Sequence, residues 1–491
     1  MRSSLSVLDR RRAGVLLHIT SLPSSIGNGD LGHEAYRFIE FLAKNGVTVW
    51  QTLPLGPTHE DGSPYQCLSA HAGNPLLISL EWLVDQGWLQ QPEEPLPWKS
   101  MAYRRCCLVC AYEGFIEKAD SEQKQTYQEF CKNHAEWLND FALFIALRQS
   151  FENRCWMDWP TPLRDRHPDA IHEAIQYFNS AIEQVKFEQF VFFTQWAELK
   201  WYANRYNVLM FGDMPIFVAG DSADVWANRE QFLLDKKGQP TVVAGVPPDY
   251  FSETGQRWGN PHYDWDAMGA DRFNWWIERI KTQLELFDWV RIDHFRGLEA
   301  YWEIPADSET AINGQWVTAP GEALLNAIYA HFESLPLIAE NLGIITPEVE
   351  ALRLKFDIPG MVILQFAFDG GSENTYLPHN HNPNSVVYTG THDNDTTLSW
   401  YNSLSEEQQN NIKDYLGRES VRMPLSLVRV ALASVAQLAI IPMQDVLGLG
   451  GEHRMNTPGT TEGNWGWRLS WDQVDEENIS LLAHFIQLYG R

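Results

Sequence analysis

The sequence predicts an α/β chain folded as a (β/α)₈ TIM barrel. Eight short apolar runs recur along its 491 residues, and amphipathic helical patterns lie between most of them. The runs are continuous rather than alternating, which suits parallel strands covered on both faces.

The runs begin at Gly14 (GVLLHITSLP), Val47 (VTVWQTLPLGP), Asn207 (NVLMFGDMP), Phe287 (FDWVRIDHF), Pro336 (PLIAENLG), Gly360 (GMVILQF), Ser385 (SVVYTGTHD) and Leu438 (LAIIPMQD). Helical periodicity is clearest over 33–44, 272–287, 321–333, 347–355, 406–416 and 424–435. Polar residues at the end of each run are expected to ring the barrel mouth.

Two spacings break the rhythm. Roughly 150 residues separate the second and third runs, whereas one βαβ unit needs about 30. This excess carries every cysteine and reads as a mostly helical insertion. The second excess, 217–271, is rich in Gly, Pro and aromatics and reads as long loops over the mouth. The expected division is 1–80 for strands 1 and 2, 81–200 for the insertion, and 201–491 for strands 3 to 8. Lid loops are expected near 217–265 and 455–468, with no C-terminal β-sandwich.

Composition excludes several classes. With 37 basic against 64 acidic side chains, the net charge is −27. Such a surface repels phosphate backbones and anionic lipid, so neither nucleic acid nor membrane is an expected partner. A neutral ligand does not feel that field, and 21 Trp, 17 Tyr and 24 Phe offer faces for sugar rings. The longest apolar stretch, 425–443, contains Arg429 and Gln437 and reads as a helix followed by a strand. Six cysteines, at 67, 106, 107, 110, 131 and 155, form no disulfide or zinc framework. They are expected as reduced, mostly buried thiols in a cytoplasmic protein. The start, MRSSLSVLDRRRAG, lacks the apolar core of a secretory signal.

Three run ends carry carboxylates. In Val290-Arg291-Ile292-Asp293-His294, residues two apart share a strand face, so Arg291 stands beside Asp293. A cation there favours the ionised carboxylate that a nucleophile requires. Alone, the pattern reads more readily as a structural ion pair. In Ile338-Ala339-Glu340-Asn341, Glu340 follows an apolar run, where desolvation raises a carboxyl pKa and suits a general acid. Alone, it reads equally as a helix N-terminal carboxylate. The third end is Gly390-Thr391-His392-Asp393-Asn394-Asp395, where Asp395 competes with Asp393. Together, acids from runs four, five and seven converge on one mouth. Two carboxyls about 5–5.5 Å apart make a retaining glycosidase.

These residues, in this order, resemble the α-amylase clan, and the longer motifs resemble the amylomaltase or disproportionating-enzyme family, glycoside hydrolase family 77. The matching segments run from Arg12 to about Arg468. They include HITSLPSSIGNGDLG from His18, GSPYQCLSAHAGNPLL from Gly62 and FGDMPIFVAGDSADVW from Phe211. GVPPDYFSETGQRWGNPHYDW from Gly245 and MNTPGTTEGNWGWR from Met455 extend the match, with RIDHFRG, IAENLG and GTHDND between them. His71 stands where an aromatic is common.

The resemblance implies a 4-α-glucanotransferase. Asp293 would be the nucleophile, Glu340 the acid/base and Asp393 the transition-state stabiliser. Arg291, His392 and Asp213 would contact the sugar being cleaved, with Tyr65 stacked beside it. Asp249, Tyr250, Phe251, Gln256 and Trp258 would form a lid over the acceptor side, faced by Asn464. His294 would contact substrate or bond to its neighbours. The partners would be α-1,4-glucans: maltooligosaccharides, amylose, and glucose as acceptor. No metal or organic cofactor is implied, since the acids sit in catalytic motifs rather than at calcium-loop spacing. A plain glucan hydrolase on the same barrel and a silent glucan-binding protein are the alternatives.

Overall fold

The computed structural model describes residues 8–24, 27–91, 101–248, 252–332, 334–417 and 420–491. All eight apolar runs are strands: β1 (Arg12–Leu16), β2 (Val49–Gln51), β3 (Leu209–Pro215), β4 (Trp289–Asp293), β5 (Leu337–Ala339), β6 (Gly360–Ile363), β7 (Ser385–Tyr388) and β8 (Leu438–Pro442). They form one parallel sheet in the order β6-β7-β8-β1-β2-β3-β4-β5. The Ala339 amide donates to the Pro359 carbonyl at 2.8 Å and brings β5 to β6, nearly closing the barrel.

Every residue of β1, β7 and β8 is buried, which is why these strands read as unbroken apolar runs. The outer helices carry apolar stripes against them. His33–Lys44 buries Ala35, Phe38, Ile39 and Leu42. The stretch 425–443 is the helix Leu425–Ala433 followed by β8.

Between β2 and β3 lie seven α-helices among the described residues, ending with the 27-residue helix Asn179–Arg205. That helix buries Phe187, Phe192 and Trp196, and its two buried amides brace the chain that follows the Tyr65 loop. Gln189 accepts from the Gly73 amide at 2.8 Å and donates to the Gly73 carbonyl at 2.9 Å. Gln195 does the same for Ser79, at 2.8 and 3.2 Å. A buried amide satisfied on both atoms fixes its partner's position.

Two sequence expectations need correction. The cysteines are not mostly buried: Cys107 is buried, but Cys106 and Cys110 are exposed and the other three are half-buried. Helix Met101–Lys118 turns residue 107 inward and residues 106 and 110 outward. All six thiols are free. Nor is 217–271 loop throughout. It contains helices Ala223–Ala227 and Trp265–Ala270 and two strands, Val242–Val246 and Gln256–Pro261. These join Ala300–Pro305 and Gln315–Thr318 in a four-stranded antiparallel sheet.

Candidate active site

The strand register assembles the site. Asp213 pairs with Arg291 across β3 and β4, and Pro215 pairs with Asp293. Arg291 Nη1 donates to both Asp213 oxygens, at 2.8 and 2.6 Å, while Nη2 lies 2.9 Å from Asp293 Oδ1. One planar guanidinium therefore bridges two carboxylates. Tyr65 closes the cluster by donating its hydroxyl to Asp213 Oδ2 at 2.7 Å.

Glu340 immediately follows β5 and is held by two backbone amides. His294 N–H reaches Oε2 at 2.6 Å and Leu342 N–H reaches Oε1 at 2.8 Å. The first of these needs unusual backbone. His294 has φ 55°, in the left-handed region, directly after Asp293. A bulky residue holds that conformation only when its surroundings enforce it, and such strain collects at functional sites. One strained turn thus ends the Asp293 strand and aims an amide at Glu340.

Asp393 lies in the turn after β7. Asn456 Nδ2 donates to its Oδ1 at 2.6 Å, and Arg454 Nη2 holds its backbone carbonyl at 2.5 Å. The His392 ring stacks on Tyr65, with centroids 5.1 Å apart and 12° between planes. Trp465 packs against both.

Asp293, Glu340 and Asp393 all line one cavity of about 510 Å³, together with Tyr65, His294 and Trp258. Gln256 is also on its wall, and its Oε1 accepts from Trp258 Nε1 at 3.2 Å. Asp213, Arg291 and His392 stand behind the wall, with Asp213 and Arg291 engaged with one another. Asp395 turns its carboxylate to the Thr396 amide at 2.8 Å, so Asp393 is the acid of that turn that faces the cavity. Asn464 spends its side chain inside its own loop, accepting from Thr457 N–H and donating to the Thr460 carbonyl, both at 2.9 Å. Asp249, Tyr250 and Phe251 lie outside the described residues. His71 faces away from this cavity and bonds Thr282.

Two glycines allow close approach beside the strands Val242–Val246 and Gln256–Pro261, and Gly255 also needs the left-handed region. Gly255 has φ +67°, and a Cβ there would lie 2.4 Å from the Val246 carbonyl oxygen. At Gly245 a Cβ would lie 2.1 Å from the Gln256 carbonyl oxygen.

Electrostatics depart from the simplest expectation. Burial raises Glu340 above the usual glutamate value, against the pull of Arg291 and its two amide donors. Burial also raises Asp293, helped by Asp213, Glu340 and Asp393 and opposed by Arg291. Arg291 favours the Asp293 carboxylate but does not outweigh burial and three neighbouring acids. Asp293 keeps 30% side-chain exposure through the cavity, whereas Glu340 as a residue keeps 8%. Asp293 is taken up to about 8, yet of the pair it alone contacts Arg291, at 2.9 Å, and that contact favours leaving a shared proton on Glu340. Burial lowers His392, with Asp393 opposing, and takes His294 down to about 3, so the His294 imidazole is neutral at pH 7.

The sequence alone does not single out Asn456 or Arg454, although Asn456 lies inside the MNTPGTTEGNWGWR motif. Trp465, from the same motif, was also passed over.

A family model described as 4-alpha-glucanotransferase, that of glycoside hydrolase family 77, matches residues 17–474. A 4-alpha-glucanotransferase of Thermus thermophilus is 49% identical over 95% of this chain and 96% of its own. One from Synechocystis sp. is 48% identical over 99% of both chains. The solved amylomaltase of Streptococcus agalactiae, in complex with acarbose, has a TM-score of 0.93 at 37% identity, covering 98% of this chain and 100% of its own. The chain belongs to the 4-α-glucanotransferases of glycoside hydrolase family 77 and is an enzyme of that type.

Proposed function

We propose that the enzyme moves α-1,4-glucan segments between maltooligosaccharides or amylose by double displacement, with glucose both a product and an acceptor. The observation that carries this reading is one cavity lined by Asp293 and Glu340 from adjacent strands, with Asp393 on the same wall. Asp293 attacks the anomeric carbon as Glu340 gives its proton to the departing glycosidic oxygen. The acceptor's 4-hydroxyl then gives its proton to Glu340 and attacks the same carbon, which frees Asp293 with net retention. Asp393 stabilises the oxocarbenium charge that develops in the transition state of each step. Tyr65, Asp213, Arg291 and His392 surround the ring being cleaved, and Gln256, Trp258 and the 249–251 segment flank the acceptor. Free thiols suit a reducing compartment, and we assign the cytoplasm. Among the described residues no helix is long and apolar enough to cross a membrane.

The test is product analysis from maltotriose, with and without added glucose. Transfer yields glucose plus longer chains, and added glucose suppresses net chain growth. A ladder made only of shorter products, indifferent to glucose, makes the chain a hydrolase.

Arg291→Lys is the sharpest check on the bridge. Lysine keeps the charge but presents one ammonium and cannot span Asp213 and Asp293 together. Misplacing the nucleophile should lower kcat by about 10²-fold, with the melting temperature measured alongside. Near-normal kcat would reduce Arg291 to a structural counter-ion.

The pH profile supplies a second check. The active form carries one proton on the Asp293–Glu340 pair, held by Glu340. Rate falls at low pH as Asp293 takes a second proton, and at high pH as Glu340 loses its own. Burial raises both, so both limbs of kcat/KM should lie above the ordinary values of 3.8 and 4.5. An acid limb below 3.8 would mean that Arg291 dominates burial.

A further inference from the structure

The cavity wall also holds a pair that the proposed mechanism does not use. Arg296, in the turn after β4, and Trp316, on strand Gln315–Thr318, both line it. Arg296 is only 4% exposed. Its Cζ sits 3.7 Å from the Trp316 ring centroid. Nη1 donates to the Ile344 carbonyl at 2.5 Å and Nε to the Ala300 carbonyl at 3.4 Å. Nη2 makes no hydrogen bond among the described residues. Trp316 is 40% exposed, with Trp302 edge-on at 5.2 Å.

A buried guanidinium with a donor left over, beside a large exposed indole in a cleft, has the chemistry of sugar recognition. The indole takes the apolar face of a pyranose, and the spare N–H takes a hydroxyl. The cluster's place in the cleft follows from its tether. Glu340 protonates the leaving oxygen, so the leaving chain, and later the acceptor chain, runs out on its side. The chain from Glu340 continues through Leu342 and Gly343 to Ile344, all on the cavity wall. Arg296 grips the Ile344 carbonyl. Four residues of chain span at most about 14 Å, which puts the pair within reach of a second sugar.

We infer that Arg296 and Trp316 form an acceptor-side subsite that binds the second or later glucose of an incoming α-1,4-glucan and sets the preference for acceptor length. The assignment of side rests on Glu340 as the acid proposed above.

The test measures acceptor KM for glucose and for maltotriose at fixed donor, in wild type, Trp316→Ala and Trp316→Phe. Losing an aromatic platform should raise the maltotriose KM about tenfold, at least fivefold more than the glucose KM, with the loss in KM rather than kcat. Phenylalanine should restore most of it. Should Trp316→Ala not fold, Trp316→Leu keeps apolar bulk without a flat ring and carries the same expectation. An equal rise for both acceptors, or no rise for either, overturns the inference. So does a loss that follows donor length on the non-reducing side. Wild-type maltotriose redistribution is the separate control on the proposed function. If the wild type only hydrolyses, that reading fails. The subsite is then tested by whether Trp316→Ala erases a KM advantage of longer substrates.

Discussion

Replacing Asp293 by Asn is expected to cut turnover of maltotriose by about three orders of magnitude or more while the fold survives. The amide matches the carboxylate in shape and can still lie beside Arg291, so the wall of the cavity is preserved. The loss is chemical. An amide oxygen does not attack an anomeric carbon to give a stable glycosyl ester, and the covalent intermediate proposed here cannot form. Arg291 does not become an orphaned buried charge, because Asp213 still engages its Nη1 at 2.6 Å, so stability should change little. The check pairs kcat with a melting curve. Turnover above about a tenth of wild type would remove Asp293 from the nucleophile's role. A collapse in melting temperature would show that the ion pair was holding the barrel rather than the chemistry.

The charge cluster shows where sequence reading reaches its limit. Arg291 and Asp293 are two apart on one strand, so their juxtaposition is legible from strand periodicity. The second carboxylate on Arg291 is not. Asp213 lies on β3, and only the parallel register between β3 and β4 puts it opposite Arg291. The net effect on Asp293 was hidden for the same reason, since it depends on acids from three other strand ends. Backbone geometry was equally invisible. Nothing in the letters His294 announces a left-handed residue whose amide meets Glu340.

The barrel itself was legible because burial on both faces leaves unbroken apolar runs, and each of the eight is a strand at the expected place. The antiparallel sheet beside the mouth was not. Its strand Gln256–Pro261 mixes exposed and buried residues without clean alternation, and Gln315–Thr318 is largely exposed. Its strands also come from two separate segments, after β3 and after β4, so no local turn announces their pairing. Trp316, on that sheet, therefore had no reading at all. Asn456 and Arg454 escaped for a related reason. They lie in non-periodic chain after β8, and their task, holding Asp393, joins residues more than sixty positions apart.

Glu340→Gln should separate the two halves of the proposed cycle. A glutamine keeps only one of the His294 and Leu342 amide bonds through its single oxygen and turns its NH2 towards the other donor; it has no proton to give and cannot take one from an acceptor. With maltotriose, whose leaving group is a sugar alkoxide unless protonated, turnover should fall by about 10²–10⁴-fold, the usual worth of general acid–base help. With an α-glucosyl fluoride the first step needs far less assistance, because fluoride departs without a full proton. The variant should then form its glycosyl ester on Asp293 and stall, because no base deprotonates the acceptor hydroxyl. A burst of fluoride, one per active site, followed by slow turnover is the expected trace. Azide attacks without general base help, so it should restore turnover and give the α-glycosyl azide. That product reports both the covalent intermediate and retention. A β-azide would mean a single displacement at the anomeric carbon and would rule out Asp293 as a covalent nucleophile. Equal losses on maltotriose and on the fluoride, with no burst and no azide effect, would instead assign Glu340 to binding and leave the acid to be sought elsewhere on the same wall.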